Sequence, residues 1–149
     1  MGHQISAIIG KRQAVRVFAD RWTWAEVVDL PQDCGMVFLT DALFDGITQL
    51  FDGPGQEEPS SLTLFTSAIR RALEEAAHPG PLAYIETDYA GGYGTQAGVL
   101  LERGQAALGP LEGAGAINRL LRTIGVWSRP GEDEFDALGL GRYRHMPGE

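Results

Sequence analysis

The sequence predicts an α+β fold: a mostly antiparallel sheet built from hairpins, with about four to five helices packed on it. Three observations lead there. Strand-like apolar runs come in neighbouring pairs split by turn residues, helical stripes fall between those pairs, and no regular strand–helix–strand alternation is present. The 149 residues, 44% of them hydrophobic, suit a single domain with its own core.

Residues 5–9 read as a short strand stopped by Gly10, and Val15, Phe18 and Trp22 then recur at helical spacing. Residues 24–30, rich in β-branched and aromatic side chains, read as a strand ended by Pro31, although Thr23 and Glu26 also have the spacing of a capping box. Residues 35–39 form a buried strand paired with the one before. Thr40 or Asp41 caps a helix whose stripe is Leu43, Phe44, Ile47, Leu50 and Phe51. Residues 52–59 are a loop rich in breakers. A second helix starts at Ser60 or Ser61, with Leu62, Phe65, Ile69, Leu73 and Ala76 on its apolar face. Strands follow at 82–88 and 96–102, with a short third one at 105–108. Ile117, Leu120, Leu121 and Ile124 mark a helix closed by Gly125. Residues 132–138 make an acidic helical turn, and the basic tail of Arg142, Arg144 and His145 can fold back onto it or onto Glu86 and Asp88.

Twenty acidic against twelve basic residues give a formal charge of −8. That balance argues against nucleic acid, whose affinity rests on Lys and Arg neutralising phosphates, and against an anionic membrane surface. It favours a basic protein partner. The lone Cys34 permits no internal disulfide and reads as a small buried thiol at a strand start. His3, His78 and His145 are widely scattered, so no metal site and no cofactor is expected. The short apolar run at 5–9 lacks the form of a signal peptide, and no segment approaches the ~20 apolar residues of a membrane span. A cytoplasmic location is the expectation, and a homodimer through an edge strand is compatible with the sheet.

The segment 82–102 is the most informative. Strand alternation puts Tyr84, Glu86 and Asp88 on one face. If the sheet is covered on one side only, pairing Asp88 with Gln96 and Glu86 with Gly98 aligns the apolar faces. A polar patch of Tyr84, Glu86, Asp88 and Gln96 results, with Tyr89, Tyr93 and Thr95 at its rim and open space at Gly98. Paired carboxylates could serve acid–base chemistry in a small hydrolase or lyase, yet no nucleophile–base pair accompanies them, and no catalytic residue can be assigned. Gly91-Gly92-Tyr93-Gly94 could bind phosphate but lacks the flanking motif of such loops. Exposed tyrosines beside carboxylates suit recognition of a basic protein. The glycines could equally serve only the positive φ angles of a wide hairpin loop.

The runs 3–10 (HQISAIIG), 85–96 (IETDYAGGYGTQ) and 133–144 (DEFDALGLGRYR) resemble a group of small uncharacterised bacterial proteins, across most of the chain. Compact, acidic and without a catalytic signature, the chain is also similar in general character to immunity proteins, which neutralise polymorphic toxins. With the charge of −8 and no catalytic constellation, the expectation is a protein-binding module of that general type, with the acidic face and the hairpin as its contact surface. The alternative is a small hydrolase or lyase using Glu86 and Asp88.

Overall fold

The computed structural model describes residues 2–55, 62–103 and 108–148. The first strand, β1 (Ser6–Lys11), runs straight through Gly10 into α1 (Arg12–Arg21), whose Ala14, Val15 and Phe18 are buried. A three-residue strand β2 (Val28–Leu30) turns back into β3 (Cys34–Phe38). The strand expected over 24–30 is thus confined to its last three residues. Trp24 instead packs against Gly46, where a side chain would collide with the indole ring. Helix α2 (Asp41–Leu50) is capped by the Thr40 hydroxyl, which accepts from Leu43 N at 3.2 Å.

Helix α3 (Ser67–Ala76) begins later than its apolar stripe suggests. Thr66 is its cap, accepting from Ile69 N at 3.2 Å. The expected start at Ser60 or Ser61 lies outside the described residues, but 62–66 are described and are not helical. Leu62 and Phe65 still enter the core, from irregular chain. The long hairpin β4 (Leu82–Ala90) and β5 (Tyr93–Leu101) follows, then β6 (Leu108–Glu112). Of the strand expected at 105–108, residues 105–107 lie outside the described residues. Helix α4 (Ala116–Ile124) ends on Gly125 at φ 109°, α5 (Glu134–Ala137) is a single turn capped by Asp133, and a 3-10 turn covers Leu140–Arg142.

The six strands form one sheet in the order β2-β3-β1-β4-β5-β6, every neighbouring pair antiparallel. The antiparallel α+β architecture is as the sequence predicts. Its coverage is not. One face carries Ile8, Val37, Leu82, Tyr84 and Val99 against α1, α2 and α3. The other carries Ile9, Met36, Ala83, Ile85 and Leu100 against α4 and the C-terminal turns. Both faces are buried, so the one-sided sheet assumed for the hairpin does not exist.

The register differs in consequence. Gly91 and Gly92, at φ 60° and 83°, form a two-residue loop between the facing pair Ala90 and Tyr93. Successive positive φ values at both loop positions are the signature of a tight hairpin whose twist matches the strands. Asp88 therefore faces Thr95, Glu86 faces Ala97 and Tyr84 faces Val99, one residue away from the expected pairing of Asp88 with Gln96. The wide loop expected over 89–95 shrinks to these two glycines, and the rest of that stretch is strand.

Candidate functional site

That one-residue shift divides the expected patch between the two faces of the sheet. Tyr84, Glu86, Asp88, Tyr93 and Thr95 stay on the face of α1, α2 and α3. Tyr89 and Gln96 go to the face of α4, and Gly98 goes with them.

Gly98 is not an open space beside Glu86. It faces Ile85 across the strands, and a Cβ there would meet Leu120 Cδ1 at 2.6 Å and the Tyr84 carbonyl at 2.9 Å. Its role is to let α4 settle on the sheet.

Tyr84 is wholly buried, its ring stacked on Phe65 at 5.8 Å between centroids. Its hydroxyl donates to Glu86 Oε2 at 2.5 Å. Burial, then the charge of the neighbouring Glu86 carboxylate, pushes the phenol well above its ordinary range. Glu86 also accepts from Thr63 N at 2.8 Å, Thr63 Oγ1 at 3.1 Å and Leu64 N at 3.0 Å. Four donors thus converge on one carboxylate, which pins the irregular chain at 62–66 to the sheet. A carboxylate so engaged offers little to a substrate, and the Glu86–Asp88 pair that acid–base chemistry would use is not assembled as two free groups.

Beyond Glu86 the helical layer stops and a cleft of about 730 Å³ opens. Its floor follows the sheet register. Ser6, Glu86, Ala97 and Glu112 lie in one row across β1, β4, β5 and β6, and Asp88 with Thr95 lies one step along the same face. Gln4, Thr63 and Met146 stand in its walls, and Thr87 and Gln96, whose places in the register put them on the other face, also border it. Asp88, Thr95 and Glu112 are exposed. No Lys, Arg or His is among the described residues lining the cleft, and neither Asp88 nor Glu112 forms an ion pair with a described residue. The basic tail does not reach over to neutralise them. Arg144 Nε donates to the Gly2 carbonyl at 2.9 Å, while Gln4 N donates to the Arg144 carbonyl at 2.8 Å. Tyr93, next to the hairpin loop on this face, is 85% exposed.

The residues on the opposite face meet a second, smaller cavity of about 180 Å³ that sequence reading did not anticipate. Gln96 Nε2 donates to Tyr89 Oη at 3.0 Å, and Gln96 Oε1 accepts from Ile117 N at 2.9 Å, capping α4 from the strand below. His3 and Phe135 stand beside them with ring centroids 5.3 Å apart. The Leu140 carbonyl can only accept, so His3 Nε2 donates to it at 2.9 Å, and Nδ1 shares a hydrogen with Thr87 Oγ1 at 2.7 Å. Asn118 joins the walls by donating to Asp133 Oδ2 at 3.1 Å and accepting from Phe135 N at 2.9 Å. Partial burial raises the Asp133 carboxyl, but hydrogen bonds from the Asp136 backbone and from Asn118 outweigh it and hold the group below its usual range. Apart from the Asp133–Asp136 cap and the Tyr89–Gln96 pair across the hairpin, these contacts join distant parts of the sequence, so only the motif-like capping turn at 133–136 could have pointed to them.

Elsewhere, Cys34 is fully buried, as expected, and burial raises its thiol above the ordinary value. No group of three or more His, Cys, Asp or Glu side chains suited to a metal ion occurs among the described residues. Among the same residues no helix is long and apolar enough to cross a membrane. Compared with protein-family models, curated proteins and solved structures, the chain matches none.

Proposed function

We propose that the chain is a protein-binding module that takes a basic segment of its partner into the cleft beside the hairpin. One observation carries this reading: a cleft of about 730 Å³ is lined by Glu86, Asp88 and Glu112 with no cation among its described lining residues. Carboxylates of one sign in a concave wall focus their field outward, attracting a positively charged partner and speeding its encounter. The exposed Tyr93 beside the cleft supplies a large, stiff contact surface at low entropic cost. The formal charge of −8 acts in the same direction at longer range. Immunity-type neutralisation of a basic toxin is the form of this function that the acidic, compact chain suits best.

The test is co-purification from the source cell with three proteins: wild type, Asp88→Lys/Glu112→Lys, and the charge-matched control Asp20→Lys/Glu26→Lys. The control residues are exposed and lie away from the cleft. A basic partner retained by wild type and control but lost from the cleft variant supports the reading. Equal capture by all three proteins, or capture of no basic partner, removes it.

A further inference from the structure

The small cavity on the opposite face combines one carboxylate with aromatic walls. His3, Tyr89 and Phe135 supply the rings, Asp133 the negative charge, and Gln96 and Asn118 the polar remainder. The His3 and Phe135 ring planes are inclined at 60°, so they form a corner rather than a flat stack. No Lys or Arg is among the described lining residues. His3 spends both ring nitrogens on Thr87 and Leu140, which holds the ring in place as a wall. Asp133 is held too: Oδ1 accepts from Asp136 N at 2.8 Å and Oδ2 from Asn118 at 3.1 Å. The parts come from the N-terminal segment, the β4–β5 hairpin, α4 and α5, and their mutual hydrogen bonds fix them before any ligand arrives.

A carboxylate and an aromatic corner lining one small cavity are the chemistry that recognises an organic cation. Ring faces attract a soft, weakly hydrated positive charge, and the carboxylate supplies the counter-charge. A divalent metal would demand several oxygen ligands at once, whereas the side-chain oxygens lining this cavity already take part in hydrogen bonds to protein groups. A phosphate or carboxylate ligand would meet Asp133 as a like charge. The size points the same way, since a cavity of about 180 Å³ admits an alkylammonium head group but not a nucleotide or a folded peptide.

We propose that this cavity is a binding site for an organic ammonium group, with Asp133 as counter-ion and Phe135, His3 and Tyr89 as its cage. Its charge and its rings are not those of the acidic cleft, although Thr87 and Gln96 line both cavities.

The experiment is a ¹H–¹⁵N NMR titration of the whole protein, following the side-chain amides of Gln96 and Asn118. Tetramethylammonium chloride is the probe. Sodium chloride at equal ionic strength and tert-butanol, its neutral counterpart of the same shape, are the controls. Saturable shifts in about the millimolar range are expected for tetramethylammonium alone, as fits a cation of so few atoms. Asp133→Asn keeps a good helix-capping residue while removing the charge, and should weaken binding about tenfold or more. Phe135→Leu keeps apolar bulk but removes a ring face, and should weaken it severalfold. Tyr89→Phe should bind nearly as wild type does. Amide dispersion reports whether each variant is folded, and Phe135→Leu keeps the test alive if Asp133→Asn is not. Choline and a trimethyllysine peptide, run as separate arms, distinguish a free amine from a protein side chain. Equal shifts with tert-butanol, unchanged affinity in folded Asp133→Asn and Phe135→Leu, or no saturable shift at all would overturn the proposal.

Discussion

Gly98 is a position where one added carbon should be costly. The Cβ of Gly98→Ala would sit 2.6 Å from Leu120 Cδ1 and 2.9 Å from the Tyr84 carbonyl, and the backbone contact cannot yield as a side-chain tip can. A loss of about 1–3 kcal/mol, read from denaturant midpoints, is expected for such overpacking. Gly91→Ala meets no neighbour and should cost about 1–2 kcal/mol, from its φ of 60° alone. Glu86→Gln should likewise cost about 1–3 kcal/mol, because four donors lose a charged acceptor. Its distinguishing mark is faster hydrogen exchange at the Thr63 and Leu64 amides, measured by NMR, while the amides of α4 stay protected. At this scale Cys34 was legible from its apolar setting, and Thr40 from its cap position. The role of Glu86 was not, because three of its four donors lie more than twenty residues away and two of those are backbone amides that any residue but proline supplies.

The β4–β5 hairpin shows how an element can be legible while its register is not. Alternation along 82–102 marks two strands, but it fixes a register only if one face is apolar and the other wet. Here Tyr84 and Ile85, adjacent in sequence and on opposite faces, are both fully buried. The information lay in the loop instead: consecutive Gly91 and Gly92 specify a two-residue turn. Helix α3 teaches a related lesson. Leu62, Phe65 and Ile69 keep helical spacing, yet Glu86 takes the Thr63 and Leu64 amides and the helix cannot start until Thr66. Thr66→Ala should therefore destabilise the fold by about 1 kcal/mol in denaturant titration.

For the molecule as a whole, the two buried acids that titrate upward give stability a sign on the alkaline side. Tyr84 and Cys34 both have folded-state pKa values raised above their ordinary values of 10.0 and 9.0, chiefly by burial. The folded state then holds protons that the unfolded chain releases, so their contribution is intact below about pH 9 and is lost as pH rises past it. Chemical denaturation from pH 7 to 11 should show stability falling above about pH 9, with a shallower fall in Cys34→Ala between pH 9 and 10 than in wild type. The fold class was legible at this scale from hairpins and helical stripes. Coverage of both faces was not, because residues 116–140 read as a helix and turns without saying on which side of the sheet they pack.

The strand order also bears on how the chain is made. β1 is synthesised first, yet it occupies the middle of the sheet and pairs with β3 on one side and β4 on the other. Its edge toward β4 has no partner until residues 82–86 have left the ribosome. At roughly 5–20 residues per second, the stretch between β3 and β4 keeps that edge unpaired for roughly 2–10 s. The edge belongs to the apolar run Ala7, Ile8 and Ile9, the kind of strand that pairs with other chains when left open. A nascent chain stalled before β4 is thus the species most prone to aggregate. A fragment ending at residue 80 should scatter light at concentrations where the full chain stays clear.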